Sequence, residues 1–203
     1  GAGDYVSTGK TAANLGIEGS NAKSTTAWVY TRAFNDGGIF DVGSNADGRN
    51  WSLRTLATQD TWRAQRWGYP TYDFDFIYPS LNEWVHMALV YEGPSTDMSY
   101  AYANGNVVGS QDAAMNIDAA GRTFAIGVWS GNYFDGLIDD LRVYDYGLTQ
   151  GQVLTIIGLG SIYIPVTSPA NIYDLEAVNQ RKVNFKDYSV LMDSWGDAEE
   201  WPN

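Results

Sequence analysis

The sequence predicts an all-β fold of antiparallel strands, and three observations support this prediction. Clusters of glycine, asparagine, aspartate and serine recur between short segments in which apolar and polar residues alternate, as they do in half-buried strands. Asn104 and Gly105 separate two such segments and supply the positive φ angles of a tight hairpin turn. Hydrophobic residues make up 44% of the 203 residues and charged residues 18%, so the chain holds enough apolar side chains for a core.

Alternation predicts strands along most of the chain. In residues 24–32, Ala27 and Val29 alternate with Trp28 and Tyr30, so a strand there carries aromatic rings on one side. Further strands are predicted at residues 38–42, 51–56, 62–67, 72–78, 83–91, 123–128 and 137–144, with the Asn104-Gly105 hairpin between them. The side chains expected in the core include Trp51, Trp84, Phe124 and one of Trp28 and Tyr30.

Two stretches have helical patterns. Residues 148–157 predict a short helix that is capped by Thr149 and ended by Gly158 and Gly160. Residues 184–196 predict an amphipathic helix of about three turns. Pro165 and Pro169 lie between the two and indicate an extended connector. The sequence therefore predicts a domain over residues 1–160, a proline-containing linker over 161–170 and a helical tail over 171–203.

Charge and composition exclude several classes of partner and site. Twelve Lys and Arg residues against 24 Asp and Glu residues leave a net charge of −12, which repels nucleic acid and anionic lipid surfaces. No apolar run approaches the roughly 20 residues that cross a bilayer, so we expect no membrane insertion. The lack of cysteine excludes disulfides, thiolate zinc sites and cysteine nucleophiles.

Several motifs occur in the order and spacing of one family. The most specific is FDGLIDDLRVY at residues 134–144, followed by Tyr146-Gly147-Leu148-Thr149. The others are DYV at 4–6, TTAWVY at 25–30, GGIF at 37–40 and NEWVHMALVYEG at 82–93. Residues 1–157 thus resemble the LamG-like, concanavalin A-type jelly roll. The resemblance implies a sandwich of two antiparallel sheets that is secreted or displayed on a bacterial cell surface and binds sugars or other extracellular ligands.

The segment at residues 183–195 resembles the second half of a dockerin-like repeat, as found at the ends of bacterial secreted proteins. A calcium loop in such a repeat needs carboxylates or amides at its first, third and fifth positions and usually glycine at its sixth. Counting back from Asp187 as the twelfth position, Val178 and Arg181 occupy two of these places. We therefore expect the tail to anchor or assemble the protein through other protein subunits rather than to bind calcium.

Catalytic residues are sparse. His86, the single histidine, lies in an alternating segment and is expected to be structural. Asp73 and Asp75 have the alternating spacing of the carboxylate pair in jelly-roll glycosidases, but Tyr78 stands where those enzymes carry a glutamate. In the alternative interpretation, both aspartates face solvent and alternate with core-facing phenylalanines.

A structural calcium ion is the cofactor that the resemblance implies. Asp139 and Asp140 are the first candidate ligands, with Asp4 and Asp135 as helpers, because calcium prefers several oxygen ligands. Adjacent strand residues point to opposite faces, so the first two are not expected to be exposed in the same way. In the alternative, one of these acids accepts hydrogen bonds from loop amides and holds the turn near the N-terminus.

Two aromatic clusters are candidates for a ligand surface. A sugar ring presents apolar C–H faces and polar edges, so its site needs an exposed aromatic ring beside polar side chains. The candidate residues are Arg63, Gln65, Trp67, Tyr69 and Tyr72 in the first cluster and Trp129, Asn132 and Tyr133 in the second. If residues 62–67 form a strand, Arg63, Gln65 and Trp67 share one face of it.

These observations favour a non-catalytic extracellular module that binds a glycan or a matrix polymer, with a tail for anchoring or assembly. The alternative is a structural protein of a surface layer, filament or extracellular matrix whose ligand is another protein chain. A divergent glycosidase is a third, weaker interpretation.

Overall fold

Two β-sheets stack face to face around one apolar core in the computed structural model, which describes residues 3–58 and 60–158. The first sheet has the order β1 (Val6–Ser7), β10 (Arg122–Ile126), β3 (Gly38–Gly43), β4 (Asn50–Thr55), β5 (Thr61–Gln65), β6 (Phe74–Ile77). Two short strands, β11 (Val128–Trp129) and β12 (Asn132–Tyr133), pair with each other, and β12 joins β3. The second sheet has the order β13 (Gly136–Tyr144), β2 (Lys23–Thr31), β7 (Trp84–Tyr91), β8 (Met98–Ala103), β9 (Asn106–Asp112).

The described strands pair antiparallel, with one exception: β12 is parallel to β3 at Tyr133 and Gly38. A separate, isolated parallel bridge joins Thr31, at the end of β2, to Leu81. A 3₁₀ helix at Ala13–Leu15 and the helix α1, Gln150–Ile156, complete the described elements. The all-β sandwich of two antiparallel sheets with a short helix near the C-terminal end of the described chain confirms the predicted fold class.

The core forms where the alternation of each sheet turns apolar side chains inward. Phe40, Trp51, Trp62 and Phe124 are all fully buried between the sheets. The Trp51 indole donates a hydrogen bond to the Thr25 hydroxyl at 3.0 Å, which joins β4 of one sheet to β2 of the other. Each of these large side chains contributes about 2–3 kcal/mol by leaving water, so they dominate the stability of the sandwich.

The expectation that Trp84 lies in the core is wrong. Its side chain is 44% exposed, because Trp84 shares the outward side of β7 with His86, while Val85 and Met87 face the core. A strand places alternate residues on opposite faces, so Val85 and Met87 in the core require Trp84 to face outward.

Trp28 and Tyr30 are also partly exposed on this outer face, and the Tyr30 ring lies 5.7 Å from the Trp84 ring. The expectation that one of them lies in the core is therefore wrong, because Ala27 and Val29 take the inward positions of β2.

The predicted hairpin at Asn104 and Gly105 is confirmed. The two residues have φ angles of 47° and 78°, as a type I′ turn requires, and they join β8 to β9. The Asn104 side chain accepts a hydrogen bond from the His86 backbone N–H at 3.0 Å and donates one to the Tyr78 hydroxyl at 3.2 Å. The turn is therefore tied to β7 as well as to the loop after β6.

Helix α1 begins where the sequence predicts. The Thr149 hydroxyl accepts from the Gln152 backbone N–H, and the Gln152 side chain accepts from the Thr149 backbone N–H, so both halves of a capping box form. Gly158 follows the helix with a φ of 75°. The helix covers part of the outer face of the second sheet, where the side chains in contact are Ala88, Val90, Tyr102, Leu148 and Val153.

Three predicted strands are shorter in the structure than the pattern suggested. The strand predicted at 62–67 ends at Gln65, because Trp67 has a φ of 67° that no strand accommodates. The strand predicted at 123–128 ends at Ile126, and Gly127, with a φ of 83°, separates it from β11. The strand predicted at 72–78 spans only Phe74–Ile77.

The linker at 161–170, the helix at 184–196 and the dockerin-like tail lie outside the described residues, so the domain boundaries stay predictions. Within residues 3–58 and 60–158, no helix has the length and apolar character needed to cross a membrane.

His86 is a buried structural residue on the outer side of β7. Its ring packs edge-on against Trp28 at 5.4 Å, and neither ring nitrogen has a hydrogen-bond partner among the described residues. Burial lowers the pKa of His86 from 6.5 to about 4; Asp140 raises it and Arg142 lowers it by smaller amounts. The folded protein therefore keeps this imidazole neutral over a pH range in which the unfolded chain protonates it.

We predict that acidification from pH 6.5 to pH 4 destabilises the protein through His86. In this range the unfolded state binds the extra proton, so the contribution is complete above pH 6.5 and falls by up to about 3 kcal/mol on the way to pH 4. His86→Gln should flatten this part of the pH dependence of the free energy of unfolding, measured by urea denaturation. Equal pH slopes in the two proteins would contradict the prediction.

Candidate functional site

The outward face of the first sheet carries a row of polar side chains that is nevertheless buried. The row comprises Asp41, Asn50, Ser52, Arg54, Gln65 and Asp73, each at most 7% exposed. The neighbouring strand positions Phe40, Trp51, Leu53, Ala64 and Phe74 face the core. Loops outside the strands therefore cover the polar face of this sheet, and its buried polar groups need partners within the protein.

Gln65 connects the row. Its amide oxygen accepts from Arg54 Nε at 2.9 Å, and its amide nitrogen donates to Asp73 Oδ2 at 2.7 Å. The other Asp73 oxygen accepts the Arg66 backbone N–H at 2.6 Å. Burial raises the pKa of Asp73, and the hydrogen bonds from the Arg66 and Trp67 backbones oppose that rise. The interpretation of Asp73 as a solvent-facing residue is wrong, because the loop after β5 folds over it.

Trp67 and Trp129 meet above this row, although they are far apart in the sequence. Their ring centroids are 6.3 Å apart with the planes tilted by 36°. The Arg54 guanidinium lies 4.0 Å from the centroid of the Trp129 ring and donates to Asp36 Oδ1 at 3.2 Å. Both indoles stay partly exposed. The structure thus merges the two predicted aromatic clusters into one surface, which we call the tryptophan pair.

Unusual backbone conformations place both indoles. Trp67 has a φ of 67° and precedes Gly68, whose φ is 101°. A bulky residue in this left-handed region costs on the order of 1–3 kcal/mol and is held there by its surroundings. Trp129 begins a two-residue hairpin through Ser130 and Gly131, with φ angles of 48° and 87°. Strain of this kind concentrates at binding sites, which makes the tryptophan pair a candidate site.

Glycine lets the Trp129 hairpin cross the first sheet at close range. A Cβ atom on Gly38 would lie 2.5 Å from Trp129 Cβ and 2.6 Å from the Trp129 backbone nitrogen. A Cβ atom on Gly37 would lie 2.5 Å from the Phe134 Cα. The two glycines of the GGIF motif therefore leave the space in which this hairpin packs against β3.

Arg63, Tyr69 and Asp75 extend the surface toward β6. Arg63 Nε donates to Asp75 Oδ1 at 2.6 Å and Arg63 Nη2 donates to Asp75 Oδ2 at 2.8 Å. This pair of hydrogen bonds raises the pKa of Arg63. The Arg63 guanidinium also lies 4.5 Å from the centroid of the Tyr69 ring, which is 60% exposed. The phenol ring is thus held at the surface by a paired arginine beneath it.

Two residues predicted to bind ligand are occupied within the protein. Gln65 is buried, and its amide uses both ends within the polar row. The Tyr72 ring packs so close to Gly48 and Gly68 that a Cβ on either glycine would be 3.0 Å or less from it. Both residues support the loops around the tryptophan pair. Their internal contacts give no support to the prediction that they contact a ligand directly.

An open pocket of about 650 Å³ lies on the other side of the Trp129 hairpin. Its lining residues are Gly3, Arg32, Asn35, Gly131, Asn132, Tyr133, Phe134 and Asp135. The Tyr133 ring lies 5.9 Å from the ring of Tyr5, and both phenols are exposed at the rim. The structure therefore places predicted residues Asn132 and Tyr133 in a pocket, with Asp135, a predicted helper in calcium binding, beside them.

The aspartates proposed for calcium do not form a cluster of carboxylates in the structure. Asp139 and Asp140 are both exposed, because a bulge in β13 and a φ of 47° at Asp140 break the alternation there. The Asp140 carboxylate accepts two hydrogen bonds from Arg142, at 2.8 and 2.6 Å. Within the described part of the chain, no three acidic or histidine side chains cluster as metal ligands, Asp4 and Asp135 included. Calcium binding at these residues therefore stays a prediction.

The sequence relates the chain to a known superfamily. A laminin G-type profile, described as the concanavalin A-like lectin/glucanases superfamily, matches residues 1–154. The chain belongs to this superfamily. Among curated protein sequences none matches the chain.

Solved structures share the sandwich of this superfamily member. The CBM40 module of the Ruminococcus gnavus IT-sialidase is 16% identical over 76% of this chain and 92% of its own, with a TM-score of 0.61. A second structure of that module is bound to α2,3-sialyllactose. A heptameric SAP-like pentraxin from Limulus polyphemus is 18% identical over 69% of this chain and 72% of its own, with a TM-score of 0.51.

The binding domain of botulinum neurotoxin DC, in complex with rat synaptotagmin II, is also similar. It is 12% identical over 76% of this chain, with a TM-score of 0.55, and the present chain spans 39% of its length. At such identities these likenesses show the shared fold. The neighbours are binding modules and binding domains.

Arg54 and Arg32 are the site residues that the sequence interpretation missed. Arg54 lies on β4 two residues after Ser52, so alternation could have placed its side chain on the same outward face as Ser52. Arg32 follows β2 directly, and its backbone N–H donates to the Asp135 carbonyl at 2.9 Å. Neither position has a local sequence motif, because the partners of each come from distant strands.

We predict that Gly38→Ala destabilises the protein by displacing the Trp129 hairpin. The new methyl group would meet backbone atoms that cannot move independently, so the free energy of unfolding should fall by about 2 kcal/mol. Gly151→Ala in α1 is the control, since the nearest atom to its new Cβ is 4.0 Å away and alanine favours helix. Urea denaturation measures both, and a Gly38→Ala protein as stable as the parent would refute the close approach.

Proposed function

We propose that this chain is a non-catalytic carbohydrate-binding module whose binding surface is built on the tryptophan pair. The observation that carries the proposal is the meeting of Trp67 and Trp129, two partly exposed indoles that the loops hold side by side over Arg54. A sugar ring stacks its C–H face on such indoles and directs its hydroxyl groups to polar neighbours. Tyr69 lies on the same face, above the Arg63 guanidinium, and supplies an additional ring.

The surface is preorganised for binding. Arg54 is fixed by Gln65 and Asp36, so the Trp129 ring rests on a cation that does not move with the ligand. A rigid aromatic platform loses little conformational entropy when a ligand binds, and this favours affinity. The strained backbone at Trp67 is consistent with the same role.

The two aspartates considered for glycoside hydrolysis are both engaged within the protein. Asp73 is buried and accepts hydrogen bonds from Gln65 and the Arg66 backbone. Asp75 accepts both of its hydrogen bonds from Arg63. A glycosidase needs one carboxylic acid free to protonate the leaving oxygen and a second carboxylate facing the sugar. Both carboxylates are instead committed to the scaffold.

The sequence pattern supports two further parts of the proposal. The module acts outside the cell, on a bacterial surface or after secretion, and its tail at residues 171–203 anchors it to other protein subunits. The resemblance of residues 183–195 to a dockerin-like repeat motivates the tail's role. In the alternative, the ligand is another protein chain and the molecule is a building block of a surface layer or matrix.

We predict that Trp67→Ala and Trp129→Ala each weaken glycan binding by about tenfold or more, because each removes a stacking surface. Trp84→Ala is the matched control, since Trp84 is an exposed tryptophan on the opposite sheet. A glycan array followed by titration calorimetry of the full chain measures the effect. Unchanged glycan binding in the folded Trp67 and Trp129 variants would reject this surface.

We predict that removal of residues 168–203 abolishes concentration-dependent assembly, and that calcium does not restore it. Light scattering at several concentrations, with calcium or a chelator, compares the full chain with the shortened one. Monomers in both forms would reject the assembly role of the tail. Assembly through the tail together with no glycan binding would instead favour the structural-protein alternative.

A further inference from the structure

The pocket beside the Trp129 hairpin contains an arginine that differs from the others described. Five of the other described arginines pair with aspartates: Arg49 with Asp118, Arg54 with Asp36, Arg63 with Asp75, Arg122 with Asp41, and Arg142 with Asp140. Arg66 is fully buried and donates to Ser99. The Arg32 guanidinium is exposed, lines the pocket and has no ion pair or hydrogen bond with any described residue.

An unpaired carboxylate faces the same pocket. Asp135 is exposed, and no described residue donates a hydrogen bond to its side chain. The backbone holds Arg32 and Asp135 as neighbours, since the Arg32 N–H donates to the Asp135 carbonyl at 2.9 Å. Their side chains nevertheless form no ion pair. One donor group and one acceptor group are therefore both available to a ligand in this pocket.

The remaining wall supplies an aromatic ring and an amide. Tyr133 is 38% exposed, and Asn132 is exposed with no hydrogen-bond partner for its side chain among the described residues. Asn35, by contrast, is committed, because it donates to the Tyr133 carbonyl at 2.9 Å and accepts from the Gly37 N–H at 3.2 Å. The available groups are thus a cation, an anion, an amide and a phenol ring.

We propose that this pocket is a second subsite of the glycan site and that it takes an uncharged sugar residue. Hydroxyl groups of the sugar donate to Asp135, its oxygens accept from Arg32 and Asn132, and its apolar face packs on Tyr133. The inference rests on the proposed function, because the hairpin that carries Asn132 and Tyr133 also carries Trp129 of the tryptophan pair.

Charge argues for a neutral ligand over an acidic one. A carboxylate on the sugar would gain Arg32 but would also face Asp135, and the whole chain has a net charge of −12. A neutral sugar avoids both penalties and still uses every available group. The acidic sugar bound by the similar R. gnavus module is therefore not the class that these charges favour.

The test compares neutral oligosaccharides with their sialylated and uronic acid counterparts on the full chain, by titration calorimetry at low and at physiological salt. Arg32→Ala and Asp135→Ala should each weaken binding of the neutral ligand by about tenfold. Arg142→Ala and Asp140→Ala are the controls, since that exposed pair lies on the other sheet. Binding of the neutral ligand should change little with salt, because no net charge is neutralised.

Three outcomes would overturn the inference. If acidic glycans bind more tightly, weaken with salt and bind better to Asp135→Ala, the pocket is an anion site and the proposed function still holds. If neutral glycans bind and respond to Trp67→Ala and Trp129→Ala but not to the Arg32 and Asp135 variants, the pocket is not a subsite. If no glycan binds at all, the proposed function fails and this inference fails with it.

Discussion

The candidate site depends on one contact, the buried guanidinium of Arg54 beneath the indole of Trp129. A cation that is covered and removed from water costs free energy unless hydrogen bonds or an opposite charge compensate for the burial. Gln65 and Asp36 provide the hydrogen bonds, and the Trp129 ring provides the cover at 4.0 Å. The position of Trp129 in turn sets where Trp67 packs, where the hairpin crosses Gly38, and which hairpin residues reach the neighbouring pocket.

The outer faces of the two sheets differ in polarity and in what covers them. The second sheet presents apolar residues outward, and α1 covers part of them through Val153 and Leu148. The first sheet presents polar residues outward, and segments outside its main strands, among them the Trp129 hairpin, cover them. A helix on an apolar face completes a core, whereas loops on a polar face leave aromatic rings partly exposed beside hydrogen-bonding groups. The groups of the proposed binding surface are therefore concentrated on the first sheet.

Charge is distributed so that most of it is not available to a ligand. The chain has 24 acidic residues against 12 basic ones, yet most of the described arginines are paired with an aspartate or buried. Surface pairs of this kind add little stability, but they neutralise the arginines as ligand contacts. Arg32 lacks such a partner, and this unpaired cation beside the Asp135 carboxylate is what separates the pocket from the rest of the described surface.

The sequence by itself determined the longer strands, the Asn104-Gly105 hairpin and the capped helix at Thr149, because period-two alternation, turn chemistry and capping act over a few residues. Motif spacing also determined the superfamily, which the match to residues 1–154 confirms. Only the tertiary structure decided that Trp84 faces outward, that Asp73 is covered, and that the two aromatic clusters meet. Covering a sheet face and joining Trp67 to Trp129 depend on strand order and on loops that cross it, and these long-range contacts leave no local sequence pattern.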